Sequence, residues 1–174
     1  MTCMETLRSL TDALTICSFV FAGWQFFSWR KQQRHSLELE AVLTMEDLFE
    51  IYVESLLRQV SYFNKARMLA HQSNDQSRQD RARVNNYLKT DFKVLFEGLR
   101  TEIAQNFKSY TLARYRVIRL NFDIEKISEL DPVWIREQFD NFTLERVPVN
   151  DAAEKISDIK KRAFEEFRTL RKSK

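Results

Sequence analysis

Two glycines, two prolines and two cysteines are all that the 174 residues contain of each. Walker, Rossmann and kinase loops cradle phosphate with several glycines, and only Gly23 and Gly98 exist here, so those nucleotide sites are excluded. So few turn formers also argue against sandwiches, barrels and βαβ units. Cys3 and Cys17 cannot build a disulfide framework, and neither has zinc-ligand spacing or a lipobox. If the outer face of a membrane is oxidising, Cys3 could still cross-link two protomers.

Histidine is as scarce. Nucleophile–base catalysis needs a base beside a serine or cysteine. His35 lies in a basic cluster, and His71 reads as the carboxy-terminal cap of a helix. His35 with Glu38 makes one His-x-x-Glu step, short of the paired motifs that build di-metal bundles. Glu46, Glu50 and Glu54 form an i, i+4, i+8 ladder that could attract a cation or a basic helix, although a solvated face is the plainer account. No catalytic residue, cofactor or metal is expected, and the chain does not read as an enzyme. A membrane-tethered enzyme would need a deep pocket lined by charged residues, which the periodicity does not suggest.

What the chain does contain is 44% apolar residues, 30% charged residues and a net charge of +3. That is enough for one modest core and too apolar for a disordered chain. The expected fold is all-α. One amino-terminal transmembrane helix continues into a cytoplasmic bundle of long, antiparallel, coiled-coil-like helices. The expected division is a membrane anchor with basic collar at 1–36 and a helical domain at 37–174.

The anchor rests on Ala13–Trp29, a stretch of 17 residues without a charge. As a helix it spans about 25 Å, short of the ~30 Å hydrocarbon core unless Ser9–Asp12 lies near the headgroups. A cleaved signal peptide and a buried core helix are the rivals. The first lacks a basic leading region, since Arg8 is opposed by Glu5 and Asp12, and the run stays apolar beyond Val20-Phe21-Ala22. Trp29, Arg30, Lys31 and Arg34 form a collar for lipid headgroups, with His35 beside it. The positive-inside bias then puts the amino terminus outside and the rest in the cytoplasm. The expected location is the cell membrane, in bacteria the inner one. Thr15, Ser18, Ala22 and Gln25 recur at steps of three and four, forming a small and weakly polar stripe suited to helix association. The layout of anchor, collar and helical domain resembles small bacterial membrane proteins. That resemblance covers about the first forty residues, has no diagnostic motif and implies no function.

Beyond the collar, Leu37–Ala70 reads as one helix with a seam at Val42, Met45, Phe49, Tyr52, Leu56, Val60 and Phe63. Nothing between Trp29 and Leu37 breaks a helix, so the anchor could run straight into it. His71–Ser77 reads as a loop. Asp80–Leu130 follows as a candidate single helix of 51 residues, with bends expected at Gly98 and at Asn121–Asp123. Asp131 and Pro132 read as the cap and first residue of a short helix through Phe139. Asp140–Pro148 reads as a loop, with some extended chain at Thr143–Val147. A last helix is capped by Asn150 or Asp151.

Charge is segregated. Leu37–Leu57 carries six acids and no base, whereas Lys155–Lys174 carries eight bases against three acids. These faces either pair, within or between chains, or are simply solvated. Nucleic acid is not an expected partner, because Glu165 and Glu166 interrupt the basic helix and Phe164 and Phe167 fit core spacing. The function expected is a non-enzymatic, membrane-anchored helical protein. It acts through homo-oligomerisation or as an accessory subunit of a membrane complex. The alternative is a membrane-disturbing effector of stress or phage-defence type whose anchors cluster.

Overall fold

The computed structural model describes residues 3–74, 78–144 and 149–172, and the side chains of 14–71, 81–142 and 151–172. The protein is all-helical, with no strand among the described residues. Helix α1 covers Cys3–Asn74, α2 Arg78–Lys89, α3 Asp91–Arg119, α4 Pro132–Leu144 and α5 Val149–Lys172. One turn of 3-10 helix, Ser128–Leu130, precedes α4. Packing divides the chain into residues 1–40 and 41–174, four residues beyond the boundary that the basic collar suggests.

Within residues 41–174 the heptad-like seam of α1 is the spine of a helical bundle. Val42, Met45, Phe49, Tyr52, Leu56 and Val60 are buried, together with Ala41 and Val53. Phe63, the last residue of that seam, is only half-buried. The ring pairs Phe49–Tyr110, Tyr52–Phe107 and Phe63–Phe96 link α1 to α3, and residue numbers rise on one helix as they fall on the other. The two helices are therefore antiparallel. Phe49 also meets Phe164 and Phe167, while Glu50 and Glu46 pair with Lys160 and Arg171, so α5 is antiparallel to α1 as well. Ile135 and Phe139 of α4 and Ile156, Ile159, Ala163 and Phe167 of α5 complete the core.

The candidate helix Asp80–Leu130 is divided, and its first discontinuity is not at Gly98. Helix α3 runs through Gly98 unbroken. The break is a kink at Thr90, whose backbone N–H and Oγ1 both donate to the Asn86 carbonyl, at 3.0 and 2.8 Å. Thr90 itself departs from regular helical geometry, at φ −106° and ψ −78°. At the other end, Asn121 adopts φ 64° and closes α3. The N–H of Asn121 donates to Ile118 and that of Phe122 to Val117. This is a Schellman motif with asparagine in the left-handed position. The expected bend at Asn121–Asp123 is thus a helix end, and residues 122–127 turn back toward α4.

Asp131 caps α4 through Oδ1, which accepts from the N–H groups of Val133 at 2.8 Å and Trp134 at 3.0 Å. The Asp-Pro signal holds, but α4 runs to Leu144, so Asp140–Leu144 is helix and not loop. Phe142 is buried there and extends the apolar face by almost a turn, which outweighs the polar Asn141. His71–Asn74 is likewise the last turn of α1. Residues 75–77 and 145–148, and the side chains of Asn150 and of residues 3–13, lie outside the described set.

Candidate association surfaces

Residues 14–29 form a helix surface that is apolar on nearly every side. Phe19, Val20 and Phe27 are each at least two-thirds exposed, and Leu14, Ile16, Phe21, Trp24, Phe26 and Trp29 are more than half exposed. The rings cluster in sequence-local pairs, Phe21 with Trp24 at 6.1 Å and Phe26 with Trp29 at 6.2 Å. No helix among the described residues is long and apolar enough to cross a membrane. The physical reason is plain in the residues. From Leu14 the uncharged run is made less apolar by Thr15, Ser18, Gln25 and Ser28, and it ends at Arg30-Lys31. Ser9–Asp12, which would lengthen it, lies outside the described side chains.

The small-polar stripe lies on this surface. Ser18 Oγ donates to the Leu14 carbonyl at 2.8 Å, so its hydroxyl is already satisfied within the helix. Ala22 is exposed, and so is Gln25, whose amide has no partner among the described residues. Gln25 is therefore the stripe residue with unsatisfied hydrogen-bonding capacity. Trp24, Ser28, Trp29 and Gln32 lie beside it on the same helix surface.

The collar separates into two parts. Arg30 and Lys31 are exposed and form no ion pair among the described residues. Arg34 Nε instead donates to Glu38 at 3.0 Å, and the Glu38 side chain is 8% exposed. Two of the three cationic collar residues are thus left without an ion pair among the described residues.

The segregated charges meet within one chain. Arg171 pairs with Glu46 at 2.7 Å and Lys160 with Glu50 at 3.3 Å. Two rungs of the glutamate ladder are answered by α5, and Glu54 points outward. A further node holds the turn before α4. Arg114 donates to the carbonyls of Ile124 and Glu125 and lies 3.6 Å from the Asp131 carboxylate. The sequence shows no advance sign of it, because Arg114 and Asp131 belong to different helical periods.

Among the described residues no group of His, Cys, Asp and Glu is placed to hold a metal. His35 and His71 are both exposed, and Cys17 is a free, exposed thiol. A 320 Å³ hollow between α4 and α5 is lined by Trp134, Gln138, Asn141, Lys155, Asp158 and Arg162. Its cations are already engaged, Arg162 with Glu129 at 3.4 Å and Lys155 over the Phe142 ring at 5.7 Å. Comparison with protein-family models, with curated proteins and with solved structures finds no match for this chain.

Proposed function

We propose that this is a non-enzymatic, membrane-anchored helical protein that works by association, as a homo-oligomer or as the accessory subunit of a membrane complex. One observation carries the reading: the all-round exposed apolar surface of residues 14–29. A helix that is apolar on all sides is stable only inside a protein or in lipid, and a patch of this kind marks an interaction surface. Arg30 and Lys31 follow the rings directly and suit anionic headgroups. In this reading Leu14–Trp29 is the core of a single-pass anchor. The amino terminus is outside and residues 41–174 are in the cytoplasm, in a bacterium beneath the inner membrane.

The test is fractionation of the full chain after an alkaline carbonate wash, beside the double variant Phe19→Glu, Phe27→Glu. The wild type is expected to stay with the membrane and the variant to leave it. A wild-type chain recovered entirely in the wash would end the proposal. Labelling of Cys3 by an impermeant maleimide in intact cells reads the orientation.

Gln25 favours a second reading, a membrane-disturbing effector. A lone exposed amide among rings satisfies itself when several anchors cluster. Overexpression should then be toxic, and Gln25→Leu should abolish the toxicity. Harmless overexpression of the wild type would exclude it.

A further inference from the structure

The face of α1 that looks away from the core is not uniformly polar. Leu43, Asp47, Ile51 and Glu54 stand at i, i+4, i+8 and i+11, so they share one stripe. All four are exposed, with Leu43 at 41% and Ile51 at 46%. The outward face of α3 carries a counterpart at i, i+4, i+7 and i+11: Lys108, Leu112, Tyr115 and Arg119. These too are exposed, Leu112 at 60% and Tyr115 at 55%. One stripe offers two acids with two aliphatic residues. The other offers two bases with an aliphatic and an aromatic residue.

None of the four charged side chains forms an ion pair or side-chain hydrogen bond among the described residues. Within the chain, α1 spends Glu46 and Glu50 on α5, so Asp47 and Glu54 are the acids left over. The α1 and α3 seams face each other through Phe49–Tyr110 and Tyr52–Phe107, so their backs lie on opposite sides of the bundle. One chain therefore cannot join its own two stripes.

We infer that the back of α1 in one copy docks on the back of α3 in a second copy. Run antiparallel, the contact places Glu54 against Lys108 and Ile51 against Leu112, with Asp47 one turn from Arg119 and Leu43 one turn from Tyr115. Because the two faces differ, the contact is heterologous and builds a row or ring of copies. Apolar residues supply the burial and the charges fix register and exclude like faces. This deepens the association reading and depends on it, while naming an interface separate from the anchor stripe.

The test is charge reversal in the full chain, purified in mild detergent, with oligomer mass read by light scattering across a dilution series. One variant carries Asp47→Lys with Glu54→Lys, and the other carries Lys108→Glu with Arg119→Glu. Each alone presents like charges to itself and should weaken bundle-mediated association by on the order of tenfold or more. An equimolar mixture presents opposite charges at every contact and should regain the wild-type mass. Helical circular dichroism and melting should match the wild type, which separates loss of contact from loss of fold. Wild-type mass in either variant alone, or a mixture that stays small, overturns this interface and leaves association through the anchor standing. A wild type that is monomeric throughout and copurifies with no second protein overturns the association reading itself.

Discussion

The rings of Tyr52 and Tyr110 lie nearly parallel, 5.9 Å apart at 20°, and their hydroxyls reach the two carbonyls that flank Asp131. Tyr110 donates to Leu130 at 2.8 Å and Tyr52 to Pro132 at 3.2 Å. One phenol from each of two antiparallel helices thereby fixes the turn that redirects the chain into α4. Tyr110→Phe should leave the buried Leu130 carbonyl unpaired and cost about 1–3 kcal/mol. Tyr52→Phe, with the longer bond, should cost less. Chemical denaturation reads both, and equal midpoints for Tyr110→Phe and wild type would contradict the role given to this bond.

The same pair makes stability sensitive to alkali. Burial pushes both phenols well above their ordinary value near 10, only partly opposed by Arg136 beside Tyr52 and Arg114 beside Tyr110. Below pH 10 both states hold these protons, and the phenols make no pH-dependent contribution. Above it the unfolded chain ionises while the folded one does not. Stability should then fall by up to about 1.4 kcal/mol per pH unit for each tyrosine. Tyr110→Phe should remove one proton from that slope, as measured by denaturation between pH 9 and 11.

Gly98 sits inside α3, and a Cβ built there would meet nothing within 4 Å. Gly98→Ala should therefore stabilise the protein by about 0.5–1 kcal/mol, through the unfolded chain and helix propensity alone. A lowered melting temperature would mean that the position is not ordinary helix.

The two clamps between α1 and α5 should not be equal. In the Glu46–Arg171 pair the side chains are 15% and 32% exposed, whereas Glu50 of the other pair is 51% exposed. Double-mutant cycles should give about 1 kcal/mol for the first and a few tenths for the second, the latter fading in salt. Identical coupling energies would show that burial does not set their strength.

Much of this architecture is legible in the residues, and the failures have common causes. The α1 seam from Val42 to Val60 predicts the buried face because a 3–4 step leaves no other helical solution. Asp131-Pro132 predicts the start of α4 because a side-chain acceptor followed by a missing donor fits only a helix entrance. Gly98 misleads: glycine weakens a helix without ending it. Thr90 escapes notice because nothing local sets it apart: Thr101 and Thr111 make the same hydroxyl bond inside unbroken α3. The carboxy-terminal turns of α4 escape because Phe142 is held by tertiary contacts that no local pattern contains. For the association surfaces, the rings at 19–27 and the collar are visible as composition. The commitment of α5 to only two of the six acids of Leu37–Leu57 requires the packed chain.

Phe49 closes the core against Phe164 and Phe167, residues that lie more than a hundred positions later in the chain. At a synthesis rate of about 5–20 residues per second, that delay is on the order of ten seconds. Throughout it, the apolar seam of α1 has left the ribosome without its carboxy-terminal partner, and α3 and α4 are the cover that arrives sooner. A chain cut short before α5 would keep the α5-facing side of that seam bare for good. Quality control that reads exposed seams would meet every nascent copy during this interval, and α5 is the segment that ends it.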